Sequence, residues 1–444
     1  MIPGYTDNTN FCFRTLNYLG CKLRLLDFIE EHVKRVTPAG AGVCDLFAGS
    51  GCVSYRLSSC FPVTACDIQH YSKIICSALL QPNTLTDDIA NSFVNGIRKR
   101  SNVLLDSFAP LIELESDAIR TKNLEVLTEI IEHGSLEVFN LEQSNSLISP
   151  GQIQVNDNLK KAGLMGKESL FSRYYGGVYF SYLQAVQIDT IMAAIKQYPI
   201  EKDISVLLAA LLSTASDVAC TVGKHFAQPI KARDSKGRIK PLVYNKAIKD
   251  KTLDVIALYW EWLQKYISLK KSDFQHTILQ GDYMDCLNKL PDNVQTVYAD
   301  PPYTRDHYSR FYHVLETMAL NDMPTISTVK IHGKTHVSNG IYRDGRHQSP
   351  FCIKTKALKA FENMFITVSA TNKTLLLSYS PYNEAKESHP RVVTIEQLIS
   401  CARRYFDNVN VVSAGHFTHN KLNSTEHFLE SSDEAEVLII CDNR

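Results

Sequence analysis

Long apolar runs are missing from this chain of 444 residues. Its most apolar stretch, from Ser205 to Ala215, is too short to cross a bilayer and predicts a buried helix instead. The polar stretch from Met1 to Asn10 lacks the basic-then-apolar pattern of a secretion signal. We therefore expect a cytoplasmic protein without a membrane partner.

Closely spaced cysteines are missing as well. The twelve cysteines contain no Cys-x-x-Cys pair and no short Cys/His cluster of the zinc type. Several, such as Cys44, Cys66 and Cys441, lie in apolar runs, where a reduced thiol acts as a small core side chain. His332 and His336 form a His-x-x-x-His pair, but its Gly-flanked, non-helical setting is atypical of a metal site. We expect a reducing compartment and no metal.

The chain also lacks a net charge, because 47 Lys and Arg balance 47 Asp and Glu. That balance taken alone argues against a nucleic-acid partner. The charges are unevenly distributed, however: residues 113–142 hold eight acids against two bases, and residues 224–251 hold nine bases against two acids. A neutral chain with this polarity can still present a basic segment.

Strand patterns are confined to the two ends of the chain. Short apolar runs predict strands at 43–47 and 63–66, and again at 277–282, 296–299, 375–380, 409–412 and 437–441. Residues 84–274 show long helical patterns, broken by a polar stretch at 140–164 that predicts a loop. We predict an α/β fold with a Rossmann-like doubly wound mixed sheet, built from residues 1–84 and 275–444 and interrupted by an inserted, mostly helical domain at 85–274.

A glycine-rich turn follows the first predicted strand, in the run from Asp45 to Gly51. A strand-to-helix turn this tight needs glycine for positive φ and for close approach of the backbone to a ligand. Asp67 ends the next strand, where a carboxylate can accept both hydroxyls of a ribose. The third glycine of the dinucleotide pattern is replaced by Ser54, so a nicotinamide cofactor fits poorly while other nucleotide cofactors remain. A second pair, Asp282-Tyr283, suits the amine and the face of an adenine ring.

The segment Asp300-Pro301-Pro302-Tyr303 lies at the carboxyl end of a predicted strand, where open α/β sheets bind ligands. Two successive prolines hold the backbone extended, so the Asp300 carboxylate and the Pro301 carbonyl become fixed acceptors for the two hydrogens of an exocyclic amine. Tyr303 offers a ring on which a base rotated out of a duplex can stack. The chain has no Pro-Cys dipeptide of the kind that supplies a thiolate for attack on a cytosine ring, which favours direct methyl transfer to an amine.

In this order, the motifs resemble those of the adenine-specific DNA methyltransferases of the DNA adenine methylase class. In that class a Gly-x-Lys motif precedes the glycine turn, the ribose acid, an inserted target-recognition domain and an Asp-Pro-Pro-Tyr tetrad. The resemblance implies a class I methyltransferase fold, methylation of the adenine amine in double-stranded DNA, and Asp300, Pro301, Pro302 and Tyr303 as catalytic residues. It implies S-adenosylmethionine as cofactor, bound by Tyr18, Gly20, Lys22, Asp45, Phe47, Gly49, Gly51, Asp67, Asp282 and Tyr283. The resemblance is compatible with companion restriction or defence proteins, and it does not determine the oligomeric state.

Two basic segments are candidates for contact with DNA phosphates, because positive charge on a flexible loop can follow the backbone and release counterions. Their members are Lys224, Lys231, Arg233, Lys236, Arg238 and Lys240 in the central region and Arg305 and Arg310 after the tetrad. The first segment is equally typical of a solvated loop. The aromatic run 173–180 fits either a base pocket or ordinary core packing.

The residues leave other functions open. The same tetrad chemistry serves the adenine amine in RNA and the cytosine amine in DNA. A catalytically silent nucleic-acid-binding subunit is an alternative of a different class, although such a subunit needs neither the tetrad nor the glycine turn.

Overall fold

A computed structural model describes residues 11–100, 102–143, 145–305, 307–331, 333–380, 391–414 and 436–443. The chain forms two compact units. The sheet unit comprises Met1–Pro82, Ser268–Tyr308 and Gln348–Arg444, and the helical unit comprises Asn83–Ile267 and Ser309–His347. Two features of the sequence analysis lie outside the described residues: the N-terminal stretch Met1 to Asn10, and His332 of the histidine pair.

The strands, in chain order, are β1 (Gly42–Asp45), β2 (Val63–Asp67), β3 (Thr277–Gln280), β4 (Val294–Ala299), β5 (Thr328–Ile331), β6 (Lys334–Val337), β7 (Thr374–Tyr379), β8 (Asn408–Ser413) and β9 (Val437–Asp442).

The helices are α1 (Leu26–Val36), α2 (Cys52–Leu57), α3 (His70–Leu80), α4 (Asp87–Lys99), α5 (Val103–Arg120), α6 (Leu124–His133), α7 (Leu136–Glu142), α8 (Ser149–Ala162), α9 (Leu170–Tyr175), α10 (Tyr182–Lys196), α11 (Glu201–Val218), α12 (Leu242–Lys251), α13 (Val255–Ile267), α14 (Tyr283–Leu287), α15 (Tyr308–Phe311), α16 (His313–Leu320), α17 (Ala357–Ala370) and α18 (Ile395–Ala402). Among them, none is long and apolar enough to cross a membrane.

A seven-stranded sheet forms the core of the sheet unit, in the order β3-β2-β1-β4-β7-β9-β8. Strands β3, β2, β1, β4 and β7 run parallel to one another, and β9 lies antiparallel to both β7 and β8. Strands β1 and β7 are buried along their whole length, because parallel strands are covered on both faces and read as continuous apolar runs. The predicted doubly wound, mixed α/β sheet is confirmed.

Strand order reverses between β1 and β4, and the register brings the ends of these two strands together. Asp45, the last residue of β1, pairs with Tyr298 of β4, two residues before Asp300. In open α/β sheets the crevice at such a switch point is where ligands bind. The fold thus places the glycine turn after β1 and the tetrad after β4 next to each other.

The helical unit has its own apolar core. Helix α11 is buried along most of its length, as the sequence between Ser205 and Ala215 predicts. The aromatic run 173–180 is buried too, and the Tyr179 hydroxyl donates to the carbonyls of Phe226 and Gly340. Within this unit the run is therefore core packing, the second of the two interpretations of its sequence.

Two expectations for this region need correction. Most of the polar stretch 140–164 is not a loop, because α8 occupies it, with Pro150 in the first turn and left-handed Gly163 as its C-cap. Pro and Gly at these two ends favour a helix, and Val155 and Leu159 bury one face of it. Residues 309–347, assigned from sequence to the sheet domain, fold with the helical unit. Among the described strands, β5 and β6 form a separate two-stranded sheet, and α16 packs on α11. That the two units are a catalytic and a target-recognition domain stays a prediction about function.

A buried ion pair holds the helical core. Lys251 Nζ lies 2.6 Å from Glu115 Oε1 and donates to the Gly177 carbonyl, and both charged side chains are almost completely buried. Glu115 also accepts a hydrogen bond from the Tyr182 amide at 2.8 Å. Loss of one partner leaves a buried charge without compensation.

Replacing Lys251 with Met is expected to lower the free energy of unfolding by about 3–5 kcal/mol, because the buried Glu115 side chain loses its charged partner. Chemical denaturation followed by circular dichroism measures this. Lys231→Met, at an exposed lysine of the same unit, is the matched control and should change stability by less than about 0.5 kcal/mol. Equal stability of the two variants would contradict the assignment.

Candidate active site

The glycine turn after β1 is held by the end of β2 and lies against Tyr18. Gly49 and Gly51 have φ of 51° and 73°, in the left-handed region that favours glycine. The Gly49 amide donates to Asp67 Oδ2 at 2.8 Å, which ties the turn to the end of β2. A Cβ on Gly49 would lie 2.7 Å from the Tyr18 hydroxyl oxygen. Tyr18, Gly49 and Asp67, predicted from separate motifs, therefore meet at one turn.

Asp45 is buried beneath this turn and accepts a hydrogen bond from the Ser54 hydroxyl at 2.6 Å. Burial raises the pKa of Asp45 to about 7, although the hydrogen bond from Ser54 opposes the shift. The residue that replaces the third glycine of the dinucleotide pattern thus joins the end of β1 to the start of α2. A contact between Asp45 and a cofactor stays a prediction.

Three aromatic rings cluster beside the turn. Phe47 stacks on Tyr283 with ring centroids 6.2 Å apart, and Phe351 meets both rings edge-on at 5.4 and 5.0 Å. Asp282 caps α14 by accepting from the Met284 amide at 3.0 Å. The structure therefore brings the predicted Phe47 and Tyr283 together. Phe351, which lies in the short 3-10 helix Pro350–Cys352, was missed because a lone phenylalanine outside any periodic pattern carries no signal in the sequence.

The Asp300 carboxylate is held by a buried lysine. Lys22 Nζ lies 3.1 Å from Asp300 Oδ1 and 2.9 Å from Glu436 Oε1, and Glu436 also accepts from the Ser378 hydroxyl at 2.7 Å. Burial alone would lower the pKa of Lys22, but the two carboxylates outweigh it and the pKa is raised. Burial raises the pKa of Asp300 to about 6, with Lys22 opposing the rise and Glu436 adding to it. Lys22 is thus charged and fixes Asp300.

Tyr303 completes the arrangement. Lys22 Nζ lies 5.8 Å and Arg391 Cζ 4.7 Å from the centroid of its ring, and the ring of Tyr379 lies at 4.9 Å. Pro301 is buried, and Pro302 is half-buried with its carbonyl 3.6 Å from Cys352 Sγ. The tetrad is therefore packed into the sheet unit at the end of β4.

Glu436, Ser378 and Arg391 were not found from the sequence. Glu436 directly precedes β9, and the antiparallel pairing of β9 with β7 sets Tyr379 opposite Val437. That pairing carries Glu436 to the carboxyl end of β7, beside the tetrad. Without strand pairing, an isolated glutamate far along the chain from Lys22 and Asp300 has no recognisable pattern.

The predicted phosphate-contacting residues lie in different surroundings. Three already have acidic partners: Lys224 pairs with Asp250 at 2.8 Å, Arg238 with Asp234 at 2.8 Å, and Arg233 with Glu129 and Glu132 at 3.2 and 3.0 Å. The others are exposed or half-exposed, namely Lys231, Lys236, Lys240, Arg305 and Arg310. Nucleic-acid contact by this set stays a prediction.

Comparison with known proteins agrees with this geometry. The family model described as D12 class N6 adenine-specific DNA methyltransferase matches residues 18–133 and 258–372, about half of the chain. The matched ranges contain Lys22, the glycine turn and the tetrad.

Two curated proteins are similar over most of the chain. "Modification methylase LlaI" of Lactococcus lactis subsp. lactis is 24% identical over 436 residues, which cover 96% of this chain and 54% of the relative. "Type II methyltransferase M.FokI" of Planomicrobium okeanokoites is 23% identical over 370 residues, 82% of this chain and 44% of the relative. The chain thus spans about half the length of these relatives. It belongs to the D12 class of N6 adenine-specific DNA methyltransferases.

Proposed function

We propose that this chain transfers a methyl group from S-adenosylmethionine to the exocyclic amine of adenine in double-stranded DNA. The observation that carries the proposal is the Asp300 carboxylate, held by Lys22 at the end of β4 beside the glycine turn that follows β1. Family membership supports the same chemistry. The names of the two relatives, a modification methylase and a type II methyltransferase, support a role beside a restriction system.

The cofactor site has the chemistry that S-adenosylmethionine requires. Asp67, at the end of β2, offers a carboxylate for the ribose hydroxyls, and its bond to the Gly49 amide holds it at the turn. Phe47 and the buried Tyr283, which stack on each other, form an apolar wall against which an adenine ring can pack. When bound there, the cofactor supplies an electrophilic methyl group on a sulfonium.

Asp300 and Pro301 act on the adenine amine. The amine is a poor nucleophile because its lone pair is delocalised into the ring, and acceptors for its two hydrogens localise that lone pair. The Asp300 carboxylate and the Pro301 carbonyl are such acceptors. Because the pKa of Asp300 is about 6, the carboxylate is ionised at neutral pH and can take the proton that the amine loses. Lys22 keeps the carboxylate in position before the base arrives, so little reorganisation is needed.

The main test is transfer of labelled methyl groups to unmethylated duplex DNA, with nucleoside analysis of the product. The wild type is expected to form N6-methyladenine, and Asp300→Ala to lose at least about 10²-fold in rate while still binding cofactor. Methyl transfer to RNA or to cytosine instead would redirect the proposal to those substrates. Cofactor and DNA binding without any turnover would favour the silent subunit.

The rate should depend on pH through Asp300. Its carboxylate must be ionised to accept from the amine, so the rate is expected to fall as the pH drops through about 6. Glu436 raises the pKa of Asp300, so Glu436→Gln should move this acid limb to lower pH. A pH–rate profile of both proteins measures the shift. An acid limb that stays in place in Glu436→Gln, or moves upward, would contradict this coupling.

The turn should tolerate no side chain at Gly49. In Gly49→Ala, the new Cβ meets the Tyr18 hydroxyl, so we expect S-adenosylmethionine affinity to fall at least tenfold by calorimetry. Gly40→Ala is the matched control, because Gly40 has a comparable positive φ of 78° but no heavy atom within 4 Å of the position that a Cβ would take. Unchanged cofactor affinity in Gly49→Ala would show that the cofactor lies elsewhere.

A further inference from the structure

Residues 309–347 of the helical unit contain a β-hairpin whose two ends are joined by backbone hydrogen bonds. After α16 the chain enters the β5–β6 hairpin and returns to Tyr342. The returning segment is tied down by hydrogen bonds from the Ser327 amide to the Tyr342 carbonyl and from the Asp344 amide to the Thr325 carbonyl, both 2.7 Å. The position of Tyr342 is therefore set by backbone pairing.

The Tyr342 side chain is a fixed platform. Its hydroxyl donates to the Ala227 carbonyl, and its ring lies edge-on to the buried His313 with centroids 5.2 Å apart. Two guanidinium groups contact this ring: Arg346 Cζ lies 4.6 Å and Arg310 Cζ 5.5 Å from its centroid. Two positive charges are thus gathered at one aromatic ring.

Neither guanidinium forms an ion pair with a carboxylate in the described part of the chain, although the nearby Asp344 carboxylate offsets part of the charge of Arg346. Neighbouring Arg343 forms a two-pronged pair with Asp322, at 3.0 and 2.7 Å. No described carboxylate forms such a pair with Arg310 or Arg346. Among the described residues, Arg346 donates to neutral oxygens, namely the Ser327 hydroxyl at 3.2 Å and the Arg343 carbonyl at 2.8 Å.

A bound anion would offset the repulsion between these two guanidinium groups. Burial lowers the pKa of Arg346, and the nearby charge of Arg310 lowers it further. Keeping this half-buried guanidinium charged therefore costs free energy. A guanidinium group can donate two parallel N–H bonds to two oxygens of one phosphate, which suits it to a phosphodiester. Arg310 is exposed, as are Lys330, Lys334 and His336 of the hairpin, so further phosphates of an extended polyanion could also be met.

We propose that Arg310 and Arg346, held against Tyr342, bind a phosphate of the DNA backbone. This inference rests on the proposed function, since it names a contact to the same DNA. It also ranks the basic residues of the chain: Lys224, Arg233 and Arg238 already have acidic partners, whereas Arg310 and Arg346 keep their charge available.

Fluorescence anisotropy of labelled duplex DNA over a series of salt concentrations tests the proposal with the full-length chain. The variants are Arg310→Gln and Arg346→Gln, with Arg98→Gln as the matched control. Arg98 is exposed on α4 and, among the described residues, has no acidic partner, so the control removes the same charge from the same unit. Thermal unfolding of each variant checks that the fold is kept, and the exposed Arg310 gives a variant with little structural risk.

For each of the two test variants, the slope of log affinity against log salt is expected to decrease in magnitude by up to about 0.9, which is the value for the one phosphate contact that the two arginines share. The loss of affinity should be similar for all duplex sequences, because phosphates carry no sequence information. Slopes equal to that of Arg98→Gln would overturn this inference while leaving the proposed function intact. A wild type that binds RNA but no duplex DNA would overturn the proposed function itself.

Discussion

The buried ion pair between Lys22 and Asp300 is the interaction on which the candidate site depends. It joins the segment before α1 to the end of β4, and Glu436 extends it to the start of β9. Three distant parts of the chain thus share one charged contact inside the sheet unit. Removing charges from water is costly, and here one lysine pairs with two carboxylates. The same contact keeps Asp300 ionised near neutral pH and fixes its position, which are the two properties that an acceptor for an amine needs.

The remaining parts of the site are arranged around this contact by the sheet topology. Because β1 and β4 are neighbours at the point where strand order reverses, the glycine turn and the tetrad share one edge. Asp67 arrives at the same edge from β2 and is held there by the Gly49 amide. The charged and polar groups of the site therefore lie at or just beyond the carboxyl ends of strands that are almost entirely buried. The sheet supplies stability and the loops at its carboxyl edge supply the chemistry.

The basic residues of the chain differ in whether a carboxylate already pairs with their charge, and this difference matters more than how many of them a segment contains. The central basic segment looks strongly positive in sequence, yet much of its charge is already compensated: Arg233 by acids of α6, Lys224 by Asp250 and Lys251 by Glu115. The acid-rich stretch 113–142 supplies several of these partners. The polarity noted in the sequence thus largely cancels inside the helical unit, while Arg310 and Arg346 sit at an aromatic ring without such partners among the described residues.

The family, the α/β class and every strand of the main sheet could be predicted from the sequence, because each depends on local patterns: apolar runs, glycines with positive φ, and a proline-stiffened tetrad. Asp45, Gly49, Asp67 and Asp300 were found in this way. The partners of these residues could not be predicted, since Glu436 reaches Lys22 only through the pairing of β9 with β7, and Phe351 reaches Tyr283 only by packing. The state of each charge was likewise decided by tertiary structure, because a pKa and an ion pair depend on burial and on neighbours that are distant along the chain.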